Sequence, residues 1–362
     1  MWRSRYALGL EMSDNALKLA EVRIRSRSKP TVTRHAAEQL PAGAIEDGRI
    51  RDRDLVVRTL RGLVKRTGPN TRKAHVVLPG SLVMVRFLKL PDLPERRLRK
   101  VIEFELKHNA AIPLKTPHFD FVKLGLSQQQ EDWQSRAHAN RGDGWDGPGW
   151  REDAARPLCD VMVAIAPLEA VREYAKIVAA AGLRPLSIEI RPLSLYRLVT
   201  RAGLAGPDDT FLVADVGETV TDLSVFHDRG LRVTRIIPIR FAPGRDAEPE
   251  SAAAESAPFP EGMEGSDAET AFRSACSDLA HEIERLMLFF RYSLFRDRPI
   301  GRIILTGDAP RLDGIARVLS ELLAVDVRLA DGEGFKLRAT FPEKAFPAMA
   351  VPVGLALRGN RR

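Results

Sequence analysis

Along the start of the chain apolar and polar residues alternate with the period of two that marks a half-buried strand. Residues 6–12 (YALGLEM) and 16–24 (ALKLAEVRI) flank Ser13-Asp14-Asn15, which predicts a hairpin, and 31–39 predicts a third strand. The period then lengthens to about 3.6. Leu55, Val56, Leu60, Leu63 and Val64 share one face of a helix over 52–67. Strands follow at 74–80 and 82–90, then a helix at 94–110, and the strand pattern at 119–126 pairs with the one at 159–166. A helix at 167–182 stops at Gly182, where glycine can take the positive φ of a helix end. Beyond it come a strand (183–190), a helix (192–202) and a second strand set at 211–216, 222–227 and 232–238, turning at Gly217 and Gly230. The longest helical pattern, 269–295, places Phe272, Cys276, Leu279, Ile283, Leu286, Met287 and Phe290 three or four apart, as in a core helix against a sheet. A strand (302–307), a helix (311–323), a short strand (325–330) and a last helix (345–357) close the chain.

Two stretches break the pattern. Residues 127–157, with Trp133, Trp145 and Trp150, and residues 243–267 are polar, Gly-, Pro- or Ala-rich and poor in aliphatics, as mobile insertions are. The 362 residues suit two domains, and 44% apolar with 29% charged residues is a globular mixture. No run approaches the roughly 18 apolar residues of a membrane-spanning helix, and Glu11 and Asp14 interrupt any signal-peptide core. Cys159 and Cys276 are too few for a disulfide framework or a zinc cluster and read as buried thiols in a reducing cytoplasm. Lys and Arg number 56 against 48 Asp and Glu, a net charge of +8, but the basic residues are interleaved with acids outside RRLRK at 96–100 and the terminal RGNRR. Without aromatics among them they read as solvated faces, and nucleic acid is not an expected partner.

The two strand sets begin alike, GLEMSDNALKL and LVADVGETVTDLSVF, each an apolar run, an acid and a small residue. Actin-like proteins cradle phosphates with such hairpins, since a tight turn of small residues brings backbone N–H groups to phosphate oxygens. ALGLEMSDNALKLAEV, QLPAGAIEDGRIRD, VRFLKLPDLPERRLRKVIEFELKHNAAIPL, EYAKIVAAAGLRPLSIEI, LTGDAPRLDGIARVLSELLAVDV and AMAVPVGLALRG, in that order, resemble the PilM family of type IV pilus assembly proteins. The resemblance implies an α/β, actin-like (ribonuclease H-like) two-domain clamshell with an inserted α+β subdomain. It divides the chain into a first half from 1–80, an inserted subdomain over 81–190 and a connecting helix over 191–210. A second half spans 211–340, and 341–362 is a C-terminal helix returning to the first half.

The same resemblance implies a site for ATP or ADP with Mg²⁺, held weakly or lost. In the first phosphate loop Glu11, Ser13, Asp14, Asn15 and Lys18 stand where the family reads D-x-G-S-S-x-x-K, so the glycine is replaced and Asp14 adds a carboxylate where phosphate should lie. The second loop keeps its pattern in Asp215, Gly217, Thr219 and Thr221, with Asp215 and Glu11 the candidates to orient Mg²⁺ or water. Its alternative is an ordinary hairpin turn with Gly217 at positive φ. The adenosine segment keeps only Gly307, followed by Asp308, and Glu282 with Arg285 sits where the superfamily holds ribose and adenine, or forms an exposed helical ion pair. Two of three elements eroded argue against an efficient ATPase, leaving at most a weak one.

By resemblance the chain is a cytoplasmic adaptor at the inner face of the cytoplasmic membrane, serving pilus assembly, twitching motility or competence. It would bind the cytoplasmic N-terminal tail of a PilN-like inner-membrane protein, associate peripherally with the membrane through it, and link it to the pilus motor and platform. Self-association is left open. Arg86, Phe87, Leu90, Pro91, Phe104, Glu105 and Pro113 are the candidate groove residues, with core packing the alternative for Phe87, Leu90 and Phe104. An active ATPase of the actin and sugar-kinase superfamily and the cytoplasmic module of a type II secretion system are the rival readings.

Overall fold

The computed structural model describes residues 5–25, 28–108, 112–114, 116–127, 156–241, 265–295, 298–338 and 341–359. The segments expected as insertions lie outside these except at their ends, as do Trp133, Trp145 and Trp150. The first sheet is built on the hairpin β1 (Arg5–Met12) and β2 (Ala16–Ile24), continued antiparallel by β3 (Thr31–Gln39). After the short hairpin β4 (Ile45–Glu46) and β5 (Arg49–Ile50), helix α1 (Arg53–Thr67) starts at Asp52, whose carboxylate accepts from Leu55 N–H, and stops at Gly68 at φ +55°. It leads into β6 (Lys73–Leu78), parallel to β1.

An α+β unit then interrupts the sheet. Strand β7 (Met84–Pro91), helix α2 (Glu95–His108), β8 (Pro117–Leu126) and β9 (Leu158–Pro167) form a three-stranded antiparallel sheet in the order β7-β9-β8. The 119–126 and 159–166 strands are indeed partners, with Phe119 opposite Ile165 and Phe121 opposite Val163. The unit ends at Pro167 rather than near residue 190. Helix α3 (Leu168–Ala180) and β10 (Arg184–Ile190) belong to the first half, because a helical crossover lets β10 lie parallel beside β6.

Helix α4 (Arg191–Ala202) crosses to the second sheet. There β11 (Phe211–Val216), β12 (Thr221–His227) and β13 (Gly230–Ile237) make an antiparallel meander. Helix α5 (Gly265–Phe289) continues as a π-turn over Phe290–Leu294, and β14 (Arg302–Gly307) joins parallel to β11. Helix α6 (Leu312–Leu322) and β15 (Asp326–Leu329) complete the sheet. Its order, β13-β12-β11-β14-β15, matches β3-β2-β1-β6-β10 of the first, so the repeat read from the two hairpins is a repeat of topology. The second half also ends earlier than residue 340, since β16 (Lys336–Leu337) pairs with β3 of the first sheet.

The halves share one core. Ala7, Ala20 and Val22 from the first sheet and Phe211, Val213 and Ile304 from the second enclose α4 and the C-terminal helix α7 (Ala350–Ala356). Gly9 allows this, because a Cβ there would lie 1.9 Å from the carbonyl oxygen of Pro352. The opposite faces bury Leu8, Leu10 and Met12 against α1 and α3, and Leu212, Ala214 and Val216 against α5 and α6. Both faces of each sheet are therefore covered, which is why its central strands are apolar almost without alternation. Cys159 and Cys276 are buried free thiols, as expected. Among the described residues no helix is long and apolar enough to cross a membrane.

Candidate functional site

Both hairpins aim their turns into the cleft between the halves. In the first, Ser13 Oγ accepts from Ala16 N–H and donates to the Ala16 carbonyl, closing the turn without the family's glycine. Asp14 is engaged within its own half. Its carboxylate turns outward and accepts from the N–H groups of Asp47 (2.8 Å) and Gly48 (3.0 Å), fastening the β4–β5 turn. Those two residues have positive φ, so their amides point outward and offer an anion seat that Asp14 fills. Asn15 reaches across the cleft, donating from Nδ2 to Glu218 at 3.2 Å. Lys18, opposite Glu11 in the β1–β2 register, is buried and paired with Asp308 at 2.5 Å.

The cleft is organised by a residue that sequence reasoning missed. Arg191, the first residue of α4, sends its guanidinium between the hairpins. Nη2 lies 2.9 Å from Glu11, Nη1 2.5 Å from Asp215, and Nε 3.5 Å from Asp222, which sits opposite Asp215 in the β11–β12 register. Burial opposes the Arg191 charge, but Glu11, Asp215 and Asp222 outweigh it and raise its pKa well above the ordinary arginine value. Burial likewise works against the Lys18 ammonium, and Glu11 with Asp308 more than offsets it, so its pKa rises. The acids carry the converse. Burial lifts Glu11 above the usual carboxylate range despite Arg191 and Lys18, and pushes Asp222 up to about 6 against the pull of Arg191. The available signal was the β10 ending followed by Arg-Pro, because the carboxyl ends of parallel strands are where α/β sheets present site residues.

The remaining nucleotide candidates fall into structural roles. Gly217 does not take the positive φ expected of a hairpin glycine. What requires glycine is crowding, since a Cβ would meet the Val220 carbonyl oxygen at 2.9 Å. Thr219 is exposed in the turn, and Thr221 is fully buried with a hydroxyl that makes no hydrogen bond. Gly307, at φ +112°, ends β14 so close to β11 that a Cβ would lie 2.1 Å from the Val216 carbonyl oxygen. Glu282 pairs with Arg285 at 2.7 Å and with Arg235 of β13 at 3.0 Å, tying α5 to the second sheet.

The positions that the family resemblance assigns to a metal–nucleotide complex are engaged by side chains of this chain. The space between the carboxylates of the two hairpins holds a guanidinium, and Lys18 is already matched to Asp308. Among the described residues no group of three or more His, Cys, Asp or Glu side chains is arranged to hold a metal ion. A phosphate charge brought to about 4 Å from a carboxylate costs on the order of 1 kcal/mol in water and about 4 kcal/mol at the effective dielectric of a protein surface.

A second concave site lies on the far side of β10. A cavity of about 530 Å³ is walled by His118–Val122 of β8, Met162 and Ala164–Ala166 of β9, Val171 and Ala175 of α3, and Pro185–Ile190 of β10. Strands β8 and β10 are each the outer strand of their sheet among the described residues, so two edges flank one hollow whose apolar walls are joined by Arg99, His118, Asp120, Glu189 and Arg358. Arg99 stands at this wall, 2.6 Å from Asp120 and within 5.4 and 5.1 Å of the Phe119 and Phe121 ring centres. None of the seven groove candidates lines the cavity. Leu90 is in the core of the α+β unit with Leu93, Leu98 and Ile102, and Pro91 is buried beside it. Phe104 stacks on His108, Glu105 is half-buried, and Arg86, Phe87 and Pro113 are exposed elsewhere. Core packing therefore accounts for Leu90, but not for Phe87.

Comparison with known proteins agrees with the resemblance seen in the motifs. The family model of the type IV pilus assembly protein PilM matches residues 9–143. Among solved structures the chain is similar to one described as a PilM-PilN type IV pilus biogenesis complex, at 24% identity, a TM-score of 0.73, and coverage of 98% of this chain and 99% of that one. It is also similar to the ethanolamine utilization protein EutJ from Carboxydothermus hydrogenoformans, at 15% identity and a TM-score of 0.50, with 98% and 90% covered. A nucleotide-free diol dehydratase-reactivating factor matches at 10% identity and a TM-score of 0.50, with 98% and 99% covered. The chain thus resembles the PilM family in sequence over its first part, and its fold is the actin-like two-halved α/β architecture.

Proposed function

We propose that this chain is a cytoplasmic adaptor of type IV pilus assembly that takes the cytoplasmic tail of a PilN-like inner-membrane protein into the cavity between β8 and β10. The observation that carries the reading is the pairing of this apolar-walled cavity with two outer strands. An extended peptide entering there can add main-chain hydrogen bonds to a strand edge while alternate side chains enter the hollow. Supporting it are the family model over residues 9–143 and the likeness to a PilM that was solved as a complex with PilN. In this reading the chain lies at the inner face of the membrane through its partner, joins that partner to the pilus motor, and binds ATP or ADP weakly or not at all. The rival reading as an active ATPase is disfavoured by the cleft, where the second hairpin's Asp215 is engaged by Arg191.

The test is anisotropy of a labelled peptide carrying the PilN-like tail, titrated with the full chain. Leu186 lines the cavity and is 36% exposed, so Leu186→Asp should leave folding intact and weaken the peptide at least tenfold, ~1.4 kcal/mol. Phe87→Ala, outside the cavity, should leave affinity unchanged. Binding lost in the Phe87 variant and kept in the Leu186 variant would move the site to the opposite side of the α+β unit and refute the assignment.

A further inference from the structure

We infer that Arg191 is a resident cation that takes the place a metal–nucleotide complex has in an actin-like clamshell, so that the cleft is held closed by the chain itself and not by a ligand. The inference deepens the adaptor reading and rests on its view of the cleft as the counterpart of a nucleotide site. Its first support is geometric. One planar fork meets the acid of the first hairpin and two acids of the second, Glu11 from one half and Asp215 and Asp222 from the other. A bound metal would draw its ligands to one point. Here the acids are spread around a guanidinium, and among the described residues they form no cluster able to hold a metal ion.

The second support is that two further ties cross the same cleft. Lys18 of β2 meets Asp308, which follows β14, and Asn15 of the first turn meets Glu218 of the second. All three loops that would surround a nucleotide are joined to one another by side chains. The third support is the charge balance. Arg191 and Lys18 face Glu11, Asp215, Asp222 and Asp308, so the cleft already holds more carboxylates than cations. Arginine also stays protonated in proteins, so this cation cannot leave by losing a proton as a lysine could.

Thermal melting of the wild-type chain with and without millimolar Mg·ATP, paired with hydrogen exchange, tests the inference. The expected result is no shift in melting temperature and protection of the hydrogen-bonded amides of Ser13, Ala16 and Gly217 in the absence of nucleotide. Arg191→Lys, which keeps the charge but not the fork, should raise exchange of these amides in both hairpins at least tenfold. Arg191→Ala should do the same, and free guanidinium at a sub-denaturing concentration should restore its protection where Mg²⁺ does not. If the alanine variant fails to fold, the lysine variant and the wild-type titration decide. A wild-type melting temperature that rises with Mg·ATP, or exchange unchanged in Arg191→Lys, would overturn the inference. Neither outcome touches the tail-peptide assay, in which failure of the adaptor reading would show separately.

Discussion

Asp222 offers a quantitative probe of the crowded cleft. Its carboxyl is pushed up to about 6 by burial, with Arg191 at 3.5 Å unable to compensate. A carboxyl whose pKa is higher folded than unfolded binds its proton more tightly in the native state. Its contribution is complete below the unfolded pKa and is lost as pH rises through the folded one. In wild-type protein, ionising Asp222 should therefore cost stability between about pH 4 and pH 6, at up to ~1.4 kcal/mol per pH unit. The full difference from the ordinary value of 3.8 corresponds to ~3 kcal/mol, an upper figure because the buried Glu11 is coupled to the same Arg191. Asp222→Asn keeps the shape and removes the ionisation. It should be about as stable as wild type near pH 4 and more stable by ~1–3 kcal/mol at pH 8. Urea unfolding of both proteins across this range reads the difference directly. An Asn variant that is less stable than wild type at pH 8 would refute the reasoning, since it would mean that Arg191 needs the third carboxylate more than the cleft suffers from it.

Two further substitutions separate structure from ligand binding. Asp14→Ala removes the acceptor of the Asp47 and Gly48 amides and should cost ~1–2 kcal/mol in urea unfolding, yet leave the response to Mg·ATP unchanged because that carboxylate faces away from the cleft. A gain in nucleotide affinity would contradict its placement. Gly307→Ala must tolerate both φ +112° and a Cβ that would lie 2.1 Å from the Val216 carbonyl oxygen, so a loss of roughly 3 kcal/mol or more is expected, and a melting temperature close to wild type would show that β14 can retreat.

The elements were legible because their periods are clean. The two hairpins, the amphipathic α1 and α5, and even the pairing of β8 with β9 across an intervening insertion follow from local pattern. The limits of the α+β unit were not. Whether β10 extends the three-stranded sheet or returns to the first one depends on which edge its crossover helix reaches, and that lies outside any local window. Side-chain direction was equally hidden. Asp14 reads as an intruder on phosphate until two outward-pointing amides from a distant turn are seen to claim it. For Arg191 the local pattern offered only its place at the carboxyl end of β10, because its three partners come from β1, β11 and β12 and meet only when the halves close. The seven groove candidates were drawn from a contiguous motif, whereas the cavity is assembled from elements distant in sequence and takes nothing from that motif's strand.

The motif residues of the cleft have packing and pairing roles that do not depend on a ligand. Gly217 and Gly307 are held to glycine by backbone crowding at the Val220 and Val216 carbonyls, which would apply in the absence of any phosphate. Glu11 and Asp215 now serve as partners of an internal cation and would leave Arg191 buried and unpaired if lost. A D-x-G hairpin therefore marks a packing solution at the mouth of an actin-like cleft, and says little by itself about what fills it. In this chain Arg191, at the β10–α4 junction, engages the acids of both hairpins from within. Because Glu189, Ile190 and Leu193 line the cavity while Arg191 between them reaches the cleft, the same junction that fills one site shapes the wall of the other.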